Sequence, residues 1–376
     1  MGNNVKHFNE VTVQGDIWKE TNKLTASDKA DIDLFGSSVA ITSDGLVAMV
    51  GAHGKNTNSL TNSGQVYTYK RDTIDDAWTE VSKLTASDKA DSDYFGASVA
   101  ITSDGLVAMV GADGKNTDGL NGNGQVYTYK RDAIDDAWTE ISKLKASDKA
   151  NGDGFGTSVA ITSDGLIAMV GAYRKNTDGI TDNGQVYTYK RDTIDDAWTE
   201  VSKLTASDKA DVDCFGRSVT ITNDGLVAMV GAHNKNADGL SYNGQVYTYK
   251  RSTIDDAWTE VSKLTASDAA TYDHFGMSVA ITSDGLIAMV GAYLKDTDGF
   301  LNINGQVYTY KRDTVDDDWT EVNKLTASDK ADHDDFGVSL AITSDGLIAM
   351  VGAWGKDINN LTDNGQVYTY TTNIPA

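Results

Sequence analysis

Three carboxylates recur at one spacing along this chain. Asp28, Asp88, Asp148, Asp208, Asp268 and Asp329 open the motif "SDKADxD" or its close variants. Asp33, Asp93, Asp153, Asp213, Asp273 and Asp334 close it. The middle position is Asp31, Asp91, Asp211 and Asp332, but Asn151 and Thr271 in the other two copies. Three oxygen donors within six residues could help to hold Ca²⁺ or Mg²⁺. Aspartates so spaced also bond their own backbone amides and fix the start of the strand that follows. The turn reading takes precedence, no cofactor is assigned, and Ca²⁺ at the SDKADxD loops stands as the alternative.

A second set of residues varies where the rest is copied. The stretch "FGSSVAITSDGLVAMVGAHGKN" begins at Phe35, and near-identical stretches begin at Phe95, Phe155, Phe215, Phe275 and Phe336. The residue after "VGA" changes each time: His53, Asp113, Tyr173, His233, Tyr293, Trp354. Around "DxDxFGxS" the free positions include Tyr94, Arg217, Tyr272, His274 and His333, and Arg174 follows Tyr173. These twelve residues are the candidate ligand-binding set. Aromatic and hydrogen-bonding side chains on loops of a rigid scaffold suit recognition, and aromatic rings stack on sugars. Drift of unconstrained loop positions after duplication would also produce variation there, and both explanations stay open.

Other chemistry is poorly supported. A nucleophile needs an adjacent base and an orienting group, and the histidines are scattered over different copies with no fixed Ser or Cys beside them. No phosphate-cradling glycine loop or Cys/His zinc spacing occurs. The chain is read as no enzyme. Cys214 stands alone, so no intramolecular disulfide forms. It reads as a chance substitution rather than a reactive thiol. The repeated tryptophans Trp18, Trp78, Trp138, Trp198, Trp258 and Trp319 could form a sugar platform, but their recurrence favours blade-to-blade packing.

The elements that must position these residues follow from the repeat. Units start at Ser27, Ser87, Ser147, Ser207, Ser267 and Ser328. Within each, "FGSSVAIT" and "LVAMVGA" read as strands buried on both faces, joined by "SDG", which favours a tight hairpin. "GQVYTYKR" alternates. "AWTEVSKLTA" breaks the period of two, which predicts a bulge or a partly exposed edge. Six four-stranded antiparallel meanders predict an all-β fold, a six-bladed β-propeller. The sixth unit lacks its last strand, and "IWKETNKLTA" (residues 17–26) supplies it from the other end, closing the ring and removing the open edge. Residues 1–16 read as a tail or an extra edge strand, and 17–376 as one domain. In such a meander both variable segments, the 4–1 and 2–3 connections, lie on one face of the disc.

The net charge of −23 disfavours nucleic acid and anionic membranes. No apolar run reaches the length of a membrane span, and the start of the chain carries no signal-peptide pattern.

The order "FG", "SVAI", "VGA", "GQVY" resembles the FG-GAP repeat, the blade of the integrin alpha-subunit propeller. The resemblance implies strands running from innermost to outermost, an extracellular or cell-surface place, and recognition of proteins or glycans. The chain departs from calcium-binding relatives. Where those carry an Asp-rich loop between strands one and two, this chain has "TSDG" with Asp44 alone. The family's calcium site is therefore not carried over. The expected function is non-catalytic binding of a protein or glycan through the variable face, with a self-associating structural scaffold as the alternative.

Overall fold

A computed structural model describes residues 18–299 and 303–372. Residues 1–16, read above as a tail or edge strand, lie outside the described residues, as does Ile17. The described residues form twenty-four strands in six four-stranded antiparallel sheets. In the first blade they run Phe35–Ile41, Val47–Ala52, Gln65–Lys70 and Thr79–Leu84, each paired to the next. The innermost strands of neighbouring blades touch all round, including Phe35–Ile41 against Phe336–Ile342, so the ring is closed.

Closure is made as the displaced segment predicts. Lys19–Leu24 pairs antiparallel with Gln366–Thr371 and becomes the outer strand of the sixth blade. Every backbone partner that the last blade would lack is thereby supplied from the start of the chain.

The apolar core lies between blades rather than within them. Phe35, Val50 and Tyr67 of the first blade share one buried cluster with Ile348, Met350 and Val367 of the sixth. Trp78 packs on that cluster, and Arg71 lies 4.4 Å over its ring. The tryptophans thus serve blade packing. Glycine permits the close approach. A Cβ on Gly51 would stand 2.1 Å from the Gly96 carbonyl oxygen of the next blade, which the Ser38 hydroxyl bonds at 2.8 Å.

Two irregularities matter for position. Pairing slips between Phe35 and Ser38, so Gly36 and Ser37 face no partner, and the same slip opens every blade. A bulge re-aims its side chain, which turns the residue after "FG" toward the channel. The outer strand also bulges, between Glu80 and Ser82, which leaves Val81 exposed. The broken period of "AWTEVSKL" is this bulge.

The recurrent acids tie the 4–1 connection down. That segment leaves the outer strand of one blade and crosses the next from rim to channel. Ser27 bonds Glu80. Asp28 accepts from the Tyr67 hydroxyl at 2.7 Å and pairs with Lys83 at 2.8 Å. Buried Asp33 accepts from the Ala30 amide and from the Lys55 ammonium at 2.8 Å. Burial would raise Asp28, but hydrogen bonds from Lys83 and Tyr67 outweigh it and hold the carboxyl low. Lys55, the fixed lysine after "VGAxx", supplies the positive charge between the two acids.

Candidate functional site

Each varied side chain is placed by a strained but well-anchored turn. Ile32 and Leu34 have φ of 61° and 57°, and the equivalent pair in every copy is also left-handed. This is uncommon outside glycine, and costly for a β-branched residue. The neighbouring blade holds the turn: the Ile32 and Leu34 amides donate to the Thr362 and Asp363 carbonyls. The 4–1 segment of one blade is thus laced to the 2–3 loop of the blade before it, and both variable segments share one face.

The channel is shut at the opposite end. Ser43 bonds Ser103 and Ser344 at 2.6 Å each, and Asn223, from the far side of the ring, reaches Ser344 at 3.1 Å. Above this polar plug lies an aliphatic cavity of about 150 Å³ lined by Val39, Ile41 and their repeats.

The open end carries the varied residues. A run of ring contacts crosses blade boundaries: Tyr94 to His53 (5.7 Å), His53 to Trp354 (5.5 Å), Trp354 to Tyr293 (6.3 Å), Tyr293 to His274 (5.8 Å), His274 to His233 (5.4 Å). Beside it a cavity of about 380 Å³ is lined by Leu34, His53, Tyr94, Asp113, Tyr173, Arg217 and Trp354, among others. Eleven of the twelve candidate residues line this cavity, join the ring contacts or flank them. Tyr272 is exposed and stacks on Tyr242, centroids 5.5 Å apart, while Arg174 is exposed at the rim over Tyr173. His233 is buried and His53 half-buried, so these are inward-facing positions rather than free loop tips.

One candidate, His333, lies apart from the rest, and Cys214 is inert as its sequence reading expects. His333 is exposed and pairs with Asp332 at 2.9 Å, away from the ring contacts. Cys214 is buried, with Asn234 near its sulfur, and burial pushes the thiol up to about 11, which keeps it unreactive at neutral pH.

The mouth is electrostatically unusual. Burial, with Arg217 nearby, lowers His53 to about 4, and burial lowers His274 to about 4. The Nδ1 atoms of His53, His233 and His274 are buried without a hydrogen-bond partner among the described residues. Burial raises the Asp113 carboxyl against the pull of Arg217 and Arg174. Burial also raises Asp335, which accepts from Trp354, to about 6.

Two contributors escaped the sequence reading of the site. Tyr242 stacks with Tyr272 and His274. It is the aromatic at a loop position where the other copies carry Asn62, Gly122, Asp182 and Asp363, a contrast that would have flagged it. Asp335 was visible only as a free position; nothing in its spacing announces an indole partner.

The SDKADxD loops offer a cation little. Their carboxylates are taken by Lys55, Lys83, Tyr67 and backbone amides. Among the described residues no group of three or more His, Cys, Asp or Glu is arranged to hold a metal ion. Among the described residues no helix is long and apolar enough to cross a membrane.

The FG-GAP repeat model matches residues 18–69, 78–129, 138–189, 198–249, 258–310 and 319–370. Each matched unit begins on the outer strand of one blade and ends on the third strand of the next, so every unit bridges a blade boundary. No curated protein matches the chain.

Proposed function

Since this chain belongs to the FG-GAP repeat family, whose propellers are binding or scaffold modules, we propose that it is a non-catalytic recognition module that takes a glycan at its channel mouth. The observation that carries this reading is the convergence of the varied side chains. Residues from five blades, copied almost unchanged elsewhere, line one aromatic-rich cavity of about 380 Å³, and Tyr293 of the remaining blade packs on its Trp354. That volume falls within the range of small-ligand sites. A protein partner would instead call for a broad surface of roughly 800 Å². Rings with polar tips, such as Tyr94, Tyr173 and Trp354, present a stacking face and a hydrogen bond together.

The scaffold alternative has less behind it. Strand-to-strand assembly would use the outer edges, and each outer edge between Lys70-type and Leu84-type positions is broken by a bulge. FG-GAP repeats are typical of extracellular proteins, which supports an extracellular role for this one.

A glycan and matrix-protein array probed with the intact chain tests the proposal. Capture on glycans, lost in Tyr173→Ala and Trp354→Ala with folding retained, is the expected result. No capture, together with ordered oligomers that survive both substitutions, would establish the scaffold instead.

A further inference from the structure

Seven arginines occur in the chain. Five of them, Arg71, Arg131, Arg191, Arg251 and Arg312, occupy the repeated "KR" position and stack on the outer tryptophans. The other two, Arg174 and Arg217, come from different blades and different repeat positions. Both land on one ring, with their guanidinium carbons 4.8 Å and 5.6 Å from the centroid of Tyr173. In a chain of net charge −23, one aromatic ring of the mouth therefore carries two cations.

Arg217 sits on the innermost bulge, the element that aims a side chain into the mouth. One of its nitrogens donates to the Thr157 hydroxyl at 2.9 Å. Among the described residues its guanidinium makes no other hydrogen bond and no ion pair. Asp113 lines the same cavity, where its carboxyl feels the charges of Arg217 and Arg174. The free guanidinium edge is thus available to a ligand, beside a tyrosine face.

Resting on the glycan reading above, we infer that the ligand is an acidic sugar whose carboxylate docks on Arg217 while its ring lies against Tyr173. A guanidinium edge matches the planar two-oxygen fork of a carboxylate. At the Tyr173 ring itself two arginines face the single carboxyl of Asp113, which suits a monoanion and disfavours a phosphate dianion.

Saturation-transfer NMR and titration of the intact chain with glucuronate, glucose and glucose 6-sulfate test this. The variant is Arg217→Met, since Met277 fills the equivalent position and shows that the fold accepts it. Glucuronate is expected to bind more tightly than glucose or the sulfate ester, and less tightly as salt rises. In Arg217→Met its affinity should fall about ten- to a hundredfold, with unchanged thermal unfolding. Equal binding of glucose, preference for the sulfate, or undiminished glucuronate binding by the variant would overturn the carboxylate assignment and leave glycan recognition standing. Failure of every sugar here, and of every glycan on the array, would overturn both.

Discussion

The Trp354 indole donates its Nε1 proton to Asp335 Oδ2 at 2.6 Å. The pair lies within one blade, nineteen residues apart, and fixes the indole between His53 and Tyr293 of two other blades. The carboxyl titrates at about 6 because burial raises it. Trp354 fluorescence should therefore change with a midpoint near that pH. The change should vanish in Trp354→Phe and in Asp335→Leu, the latter matching Leu34 at the equivalent position. Loss of the acceptor should cost about 1–3 kcal/mol. A flat titration in the parent protein would show that the bond does not govern the indole.

The buried histidines of the mouth should lower stability on acidification from pH 7 to about 4.5. His53 and His274 have folded values of about 4, lowered from 6.5 chiefly by burial, and His233 is lowered further still. Between those values the unfolded chain holds more protons, so stability rises with pH across the window and is lost as pH falls. Asp335 acts the other way: its raised value favours the folded state at low pH, and that contribution is lost as pH rises from about 3.8 through about 6. Asp113 and the buried carboxyls of Asp33, Asp153, Asp213, Asp273 and Asp334 are raised in the same sense as Asp335, so the histidine contribution is read as a difference between variants. The change in melting temperature between pH 7 and 4.5 should be less unfavourable in the double variant His53→Tyr, His274→Leu, which borrows residues from other copies, than in the parent; an identical change in both would refute the histidine contribution.

The left-handed turn positions allow a test of backbone strain alone. Gly152 has φ of 78°, and an added Cβ there would meet nothing within 4 Å. Gly152→Val should still destabilise by about 1–2 kcal/mol, through the conformation alone. The reverse change at the equivalent Val212, φ 64° and partly exposed, should stabilise by less, since glycine also loosens the unfolded chain. Equal melting temperatures for Gly152→Val and the parent would refute the strain.

Lys55 occupies the place between Asp28 and Asp33 that a cation would need. Lys55→Met should cost about 3–5 kcal/mol by leaving buried Asp33 unpaired. Millimolar Ca²⁺ or chelator should leave the melting temperature of the parent protein unchanged, whereas a site bound in the folded state would raise it. A calcium-dependent shift of several degrees would return the metal reading to the SDKADxD loops.

Deleting residues 1–26 should expose the edge of Gln366–Thr371, which Lys19–Leu24 now covers. The truncated chain should melt earlier and associate by light scattering through the open edge. A monomer of undiminished stability would mean that the ring does not depend on this strand.

Much of this molecule could be read before any coordinate. The fixed period gave six units, the strand missing at one end and present at the other gave closure, and the meander placed both variable segments on one face. These are consequences of patterns local to a blade: apolar density, turn residues, a broken alternation. The recurrent acids could be read as turn anchors, but Lys55 as their partner depended on a fold across two strands and a loop.

What the letters could not determine is which varied residues meet. His53, Trp354 and Tyr293 come from three blades, up to 301 positions apart, and no spacing encodes an angle around a ring. Nor does the sequence say that His333 turns toward Asp332, that Tyr242 turns in, or that Arg174 and Arg217 close on one tyrosine. Those pairings depend on the bulge that re-aims the residue after "FG" and on the width of the closed channel. Repetition specified the blade; only closing six blades into a ring brought the exceptions to the repeat together.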